Sequence, residues 1–212
     1  MKFYLGLVLM VGLAFAAQAH ATNLLVNGSF QSGNFNGWTL GTTSNGTAGV
    51  GLPIVTNWPL GGMNAAKYEV GEVNFDGTYQ GATISQTFTT GGGFANLSVT
   101  WFAQATGSTN TNGGRFELIL DGTVLASHDV GPLFAIQSRN GVLSDGLFVS
   151  PGQHTFEVDI LRPFTSFQNS TPFQYITGAV ADAPGTVPEP SSLLLLVTGV
   201  AGAAGIVRRR MQ

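Results

Sequence analysis

The feature that most limits the fold of this chain is a series of short runs that alternate apolar and polar residues or are rich in β-branched and aromatic residues. The runs cover residues 23–26, 66–70, 83–89, 94–105, 115–120, 123–129, 146–149, 153–161 and 175–180. Turn-forming segments such as NGT, GGG, TNGG and SPGQ separate them, and no apolar period of 3.6 residues occurs between residues 22 and 187. The pattern predicts an all-β protein, an antiparallel β-sandwich of the jelly-roll type.

One turn and two strand faces are predicted in detail. Asp121 and Gly122 lie between FELIL and TVLASHD, and this residue pair suits a tight hairpin turn with positive φ. Side chains alternate between the two faces of a strand, so Glu157 and Asp159 are expected to face water. The same rule predicts six core residues: Val99, Trp101, Ala103, Phe156, Val158 and Ile160.

Both ends of the chain are apolar and flanked by basic residues. Lys2 precedes the apolar stretch 3–17, and small-x-small patterns ending at Ala19 and Ala21 predict a signal peptide of residues 1–21, cleaved before His20 or Thr22. Near the C terminus, an uncharged apolar run over 191–207 is predicted to form one transmembrane helix. The basic residues at the two ends favour the cytoplasmic side, so the segment between them is predicted to be exported.

The C-terminal segment also contains a short motif. Its parts, in order, are Val187-Pro188-Glu189-Pro190, the apolar run, and the cluster Arg208, Arg209 and Arg210. The segment resembles the PEP-CTERM sorting tail of Gram-negative surface proteins, which is also catalogued as the ice-binding-protein C-terminal domain. The resemblance implies recognition of the motif by a membrane peptidase, an exosortase, after signal peptidase has removed the N terminus. It implies a protein held in the inner membrane with a periplasmic body and then sorted to the cell surface or matrix; a plain single-pass anchor is the alternative.

These ends set the predicted domain boundaries. A β-sandwich domain is expected over residues 22–180, a short linker over 181–187, and the sorting tail over 188–212. Two segments of the body, 41–62 and 162–172, are predicted to be rich in loops.

Charge and cysteine content exclude several classes of function. Four of the eight basic residues and one of the eleven acidic residues lie outside 22–187, which leaves a net charge of −6 on the body. An acidic, lysine-poor surface argues against nucleic acid as a partner. The chain has no cysteine, so disulfides, thiolate catalysis and cysteine-ligated zinc are excluded.

The body opens with NLLVNGSFQSGNFNGW, residues 23–38. This segment resembles the first strand and turn of galactose-binding-like jelly-roll modules, which include several carbohydrate-binding families, and ISQTFTT and FANLSVTWFAQA resemble their middle strands. Many of those modules hold a structural calcium between an acid after the Phe and an Asp on the last strand. Here Gln31 stands in place of the acid, and the predicted last strand has no Asp before Asp182. No cofactor is therefore expected, and Asn27 and Gln31 are predicted to form turn hydrogen bonds.

Catalysis is not predicted. His128 and Asp129 are neighbours in a strand and point to opposite faces, so they do not form a dyad. No nucleophile elbow, metalloprotease helix or phosphate loop is present. Four further acids are better explained as solvated surface residues than as a carboxylate pair for a hydrolase: Glu69, Glu72, Glu117 and Glu157.

Two hypotheses of function remain, with a secreted hydrolase as a third. The first is a non-enzymatic surface protein that works in the envelope or in an exopolysaccharide matrix. The second is a carbohydrate-binding module, for which Trp58 and Tyr79 are the predicted stacking residues. Trp58 also fits a role as a loop anchor.

Overall fold

The computed structural model describes residues 21–107, 111–165 and 172–184, together with Gly199. Except for Gly199, these residues belong to one compact unit, Ala21–Gly185. The predicted signal peptide up to residue 20, the sorting motif, and all of the predicted transmembrane helix apart from Gly199 lie outside the described residues. Within the described ranges, no helix has the length and apolar character needed to cross a membrane.

Strands make up about three fifths of the described chain and are numbered β1 to β15 in chain order. Their bounds are Ala21–Asn23, Thr39–Thr42, Gly46–Thr47, Ile54–Asn57, Asn64–Tyr68, Gly71–Glu72, Gln80–Thr90, Gly93–Ala105, Thr111–Asn112, Arg115–Leu120, Thr123–Asp129, Pro132–Leu133, Ser138–Val149, Gly152–Arg162 and Pro172–Pro184.

Two antiparallel sheets form the sandwich. One has the order β13-β8-β15-β5-β4, with β1 added along the end of β15, and the other has the order β11-β10-β14-β7-β2. Two short ribbons, β12-β9 and β3-β6, lie outside these sheets. The predicted fold class, an all-β antiparallel sandwich, is confirmed.

The core lies between the facing sides of the two sheets, because alternate residues of each long strand point inward. Trp101 on β8 stacks on Phe116 on β10, with ring centroids 5.1 Å apart, so this pair joins the two sheets directly. The six predicted core residues are all buried: Val99, Trp101, Ala103, Phe156, Val158 and Ile160. Burial of this continuous apolar layer stabilises a chain that has no disulfide.

The predicted hairpin is confirmed by its backbone geometry. Asp121 has φ 50° and Gly122 has φ 78°, as a two-residue primed turn requires. A register shift between Leu118 and Ile119 adds a bulge to the same hairpin.

Two predicted boundaries need correction. β13 begins at Ser138, eight residues before the predicted start, because an edge strand exposes polar residues and lacks a clean apolar alternation. β15 continues past a bulge at Thr177 to Pro184, so residues 181–184, predicted as linker, pair with β1 and β8. The segment 41–62, predicted to be rich in loops, contains β3 and β4, while most of its residues lie outside strands.

Gly28 of the opening motif is expected to be essential to this packing, since a Cβ there would lie 2.2 Å from the carbonyl oxygen of Ala179 on β15. Gly28→Ala should lower the free energy of unfolding by about 1–3 kcal/mol through this overlap. Ser29→Ala is the matched control and should change it little. Chemical denaturation of both variants measures the difference, and equal stabilities would contradict the close approach.

Candidate functional site

The opening segment between β1 and β2 is held in place by its own side chains. Phe30 is fully buried and packs against Phe35 and Trp38, with ring centroids 5.8 and 5.7 Å away. The Trp38 indole N–H donates to the carbonyl of Asn27 at 3.1 Å. The Asn27 side chain accepts from the backbone of Ser32 and donates to the backbone of Asn34, which confirms its predicted turn role.

The packing of Phe30 against Phe35 and Trp38 leaves the side chain of Gln31 exposed at the edge of the opening loop. Its amide makes one long contact, 3.5 Å to the backbone carbonyl of Ser29. Gln86 on β7 fixes the preceding chain, because its side-chain amide both accepts from and donates to the backbone of Val26. These contacts therefore fix the backbone around Gln31, while its side-chain amide keeps most of its hydrogen-bonding capacity.

The turn between β4 and β5 stands opposite Gln31. Trp58 at its base is only 6% exposed and packs edge-on against Phe102 and Tyr175, on the outer face of the six-stranded sheet. The backbone N–H of Trp58 donates to Met63 and its carbonyl accepts from Gly61, so the turn is closed by two hydrogen bonds. Trp58 is the anchor of this turn, and no face of its ring is open.

A cleft of about 410 Å³ lies between the turn and the opening loop. It is lined by Gln31, Asn57, Gly61, Gly62, Met63 and Asn64. The side-chain N–H of Asn64 donates to the carbonyl of Phe30 at 3.1 Å, so the two walls are tied together. Among the residues that the structure describes, no charged one lines the cleft.

The amides of the cleft have unused hydrogen-bonding capacity. Within the described part of the chain, the Asn57 side chain makes no hydrogen bond and the side-chain oxygens of Asn64 and Gln31 accept none. Each amide offers both donors and acceptors. Met63 is partly exposed beside them and is held by a contact from the Thr177 hydroxyl to its sulfur at 3.7 Å. The cleft thus combines free amides with an apolar patch.

Tyr79 lies elsewhere, beside the five-stranded sheet. Its hydroxyl donates to Asp129 at 2.5 Å, and the Arg115 guanidinium lies 3.9 Å from its ring centre. One face of the ring is therefore covered. The structure does not bring Tyr79 and Trp58 together, so the two rings do not form the predicted stacking platform.

A second aromatic surface is formed by Phe75 and Phe164, whose rings are 6.4 Å apart and inclined by 27°. Phe75 is exposed, but the neighbouring polar groups are already used: Asn45 donates to Asp76, and Asp76 accepts from Thr78. Sequence reasoning missed this pair. Because its polar groups bond one another, it offers less for a ligand than the cleft does.

The two histidines in the described part of the chain, His128 and His154, lie in separate settings. His128 stacks on Trp101, with ring centroids 4.6 Å apart, while Asp129 points to Tyr79, which confirms that the two neighbours face opposite ways. His154 was not predicted to have a partner, yet its Nδ1 lies 2.7 Å from Asp121 and its Nε2 lies 2.9 Å from the carbonyl of Ser150. The hydrogen bond to Asp121 is the main cause that raises the pKa of His154. With acceptors at both ring nitrogens, this pair acts as a link between two turns.

The acids are less solvated than predicted. Glu72 is fully buried and accepts from the backbone of Asp76 at 2.8 Å, so its predicted surface position is wrong. Asp159 is partly buried and lies in register with Glu117. Burial, followed by repulsion from Glu157 and Glu117, raises the pKa of Asp159 to about 7.

The residues that would hold a structural calcium do not fit the ion. Asp182 lies on β15, in register with Asn23 and Asn96, and Gln31 is a neutral amide on the rim of the cleft. β15 does carry an Asp, and one oxygen of Asp182 is buried without a hydrogen-bond partner, but both of its register neighbours are neutral amides. Calcium prefers several anionic oxygens, and within the described ranges no three acidic or histidine side chains are grouped to hold a metal.

Comparison with known proteins adds one sequence match and a set of similar folds. Residues 186–210 match the PEP-CTERM protein-sorting motif. This chain carries a PEP-CTERM sorting tail. The tail implies a substrate for an exosortase and supports export and sorting to the cell surface. A comparison with curated proteins finds no match.

Three solved structures illustrate the similar folds. TmCBM61, solved with β-1,4-galactotriose, shares 14% identity over 76% of this chain and 98% of its own, with a TM-score of 0.47. A family 35 carbohydrate-binding module from Clostridium thermocellum shares 13% over 68% and 95%, with a TM-score of 0.34. The arabinose-bound α-L-arabinofuranosidase MgGH51 shares 13% over 84% and 29%, with a TM-score of 0.44.

The Asp159 carboxyl leads to a test by pH. Because its pKa is raised in the folded state, ionisation destabilises the fold as the pH rises from about 4 to about 7. Asp159→Asn should therefore raise the free energy of unfolding by about 1–2 kcal/mol at pH 8 and change it little at pH 4. Solvent screening of the partly exposed carboxyl limits the effect to this size. Thermal unfolding across this range measures the effect. Asp145→Asn, an exposed carboxylate on the other sheet, is the control, and an Asp159→Asn effect independent of pH would contradict the assignment.

Proposed function

We propose that this chain is a non-enzymatic, surface-sorted protein whose β-sandwich binds neutral polysaccharide in the exopolysaccharide matrix of the cell. The observation that carries the proposal is the uncharged cleft in which Gln31, Asn57 and Asn64 keep unused amide donors and acceptors. Sugar hydroxyls need such paired donors and acceptors, and the CH face of a pyranose suits the exposed side chain of Met63.

The charge of the body supports a neutral ligand. The net charge of −6 over residues 22–187 repels acidic polysaccharides, and none of the four basic residues of that segment lines the cleft. Those four are Lys67, Arg115, Arg139 and Arg162. A ligand without charge is therefore favoured over uronic-acid or phosphorylated chains.

The two ends of the chain supply the route to the matrix. Signal peptidase removes residues 1–21, the apolar helix over 191–207 holds the protein in the inner membrane with its body in the periplasm, and an exosortase acts at the Pro188-Glu189-Pro190 motif. The Arg208, Arg209 and Arg210 cluster keeps the C terminus on the cytoplasmic side until processing. The match of residues 186–210 to the sorting motif supports this route.

Trp58 contributes to binding through position and not through stacking. Its burial against Phe102 and Tyr175 fixes the turn that carries Asn57 and Asn64. The proposal therefore needs no exposed aromatic platform, and Tyr79, whose ring is covered by Arg115, is outside the binding site.

The test is binding of the full-length protein, in detergent, to an array of neutral and acidic oligosaccharides. Gln31→Ala and Asn57→Ala should each weaken binding to neutral glycans by about three- to tenfold, the value of one or two hydrogen bonds. Neither side chain supports the fold through a short hydrogen bond among the described residues, so thermal stability should be unchanged.

Two controls make the outcome specific. Gln153→Ala removes an exposed amide on β14 outside the cleft, and Phe75→Ala removes the exposed ring of the Phe75–Phe164 pair. Both should bind as the wild type does. Loss of binding in Phe75→Ala with full binding in Gln31→Ala and Asn57→Ala would move the site to the aromatic surface, and absence of any glycan binding would leave a purely structural role in the matrix.

A further inference from the structure

The six-stranded sheet ends in a long edge strand, β13. It runs from Ser138 to Val149 and pairs along its whole length with β8, and no other strand of the described residues pairs with its outer side. The opposite edge of the same sheet, β4, is only four residues long. Natural proteins shorten or block such edges because free backbone groups attract a further strand.

The direction of the free backbone groups can be read from two bonds. The N–H of Gly146 donates to the side chain of Asp145 and not to a strand, so it points to the open edge. The carbonyl of Gln137 accepts from Ala105 at the start of β8 and points inward. Since the direction alternates along a strand, even-numbered residues of β13, Val142 among them, offer their N–H and C=O groups outward.

Exposed apolar side chains lie along β13 and in the turn before it. Val142 is 60% exposed, and two of the most exposed large apolar residues, Ile136 at 82% and Phe148 at 81%, lie six positions before and six positions after it. Phe148 also packs edge-on against partly exposed Phe94, with ring centroids 5.3 Å apart. A surface of this kind, at the edge of a sheet, marks an interaction site.

Two opposite charges are placed symmetrically about Val142 within β13. Arg139 lies three positions before Val142 and Asp145 three positions after it, both exposed. Within the described ranges neither has an ion-pair partner, and the contacts of Arg139 and Asp145 are to the backbone of Val130 and of Gly146. By contrast, Arg115 pairs with Glu117 and Asp129.

We infer that β13 pairs antiparallel with β13 of a second copy of this chain, about a twofold axis at Val142. In this register the two Val142 residues exchange backbone hydrogen bonds, and Ser138 of each copy lies opposite Gly146 of the other. Arg139 of each copy then lies opposite Asp145 of the other, on the same face. Because Arg139 and Asp145 are equally far from Val142, an antiparallel copy of β13 brings opposite charges together at both ends of the pairing. This arrangement favours a second copy of the chain over a strand without the same charge spacing.

The absence of cysteine from the chain allows a direct test. Val142→Cys is introduced into the full-length protein, and membranes containing it are oxidised and analysed by non-reducing gel electrophoresis. Residues opposite one another as a hydrogen-bonded pair have Cα atoms about 5.5 Å apart, within the range that a disulfide spans. Val142→Cys should therefore form a covalent dimer. Val124→Cys, a comparably exposed valine on the edge strand β11 of the other sheet, is the control and should not.

Charge reversal then tests the register. In the Val142→Cys background, Arg139→Asp alone and Asp145→Arg alone should each lower the yield of dimer by about tenfold, because two attractive pairs become repulsive. The two reversals together should restore the yield. Equal cross-linking of Val142→Cys and Val124→Cys would overturn the inference, and so would a double reversal that stays as low as the single variants. Because β13 lies outside the cleft, absence of the dimer would not contradict glycan binding, and absence of glycan binding would not contradict the dimer.

Discussion

The burial of Phe30 is the interaction on which the site depends. Its ring closes one end of the sandwich against Phe35 and Trp38, and its backbone carbonyl accepts the amide N–H of Asn64 from the facing turn. Phe30 therefore holds both walls of the cleft: its side chain fixes the opening loop, and its carbonyl ties that loop to the turn. A residue with φ 56° that is neither Gly nor Asn indicates that packing overrides local backbone preference here.

Polar groups complete the same construction without charge. The Gln86 amide bonds both backbone groups of Val26, and the Asn27 side chain closes the turn that follows. Buried or half-buried amides satisfy backbone groups that no strand pairs with, which a chain with few charged residues and no disulfide needs. By contrast, among the described residues the side-chain amide of Asn57 makes no hydrogen bond and that of Gln31 makes a single long one, so both keep capacity for a ligand.

Much of the fold was predictable from local patterns. The Asp121-Gly122 turn and the core faces of β8 and β14 follow from turn chemistry and from the two-residue period, and the structure confirms them. The full extent of β13 was not predictable, since an edge strand with polar residues on one side has no clear alternation. The predicted last strand ends too early because the bulge near Thr177 breaks the alternating pattern. In the structure, pairing with β1 continues β15 to Pro184.

The site was less accessible to sequence reasoning because it depends on contacts between distant segments. Gln31 and the Asn57–Asn64 turn are adjacent only in the folded chain, as are His154 and Asp121. Trp58 was recognised as important, yet its sequence context did not distinguish a stacking ring from an anchor. Trp58 is an anchor because it is buried against the apolar outer face formed by Phe102 and Tyr175. That face exists only once β8 and β15 are paired.

The most direct test of the central claim, that a neutral glycan occupies the amide-lined cleft, is side-chain amide NMR of the full-length labelled protein in detergent micelles. Neutral trisaccharides built from glucose, galactose or xylose are added at millimolar concentration. If the cleft binds such glycans, at least one of them should shift the side-chain NH₂ signals of Gln31, Asn57 and Asn64 while that of Gln153 stays in place. Movement confined to signals outside the cleft, with those three amides unchanged at saturation, would contradict it.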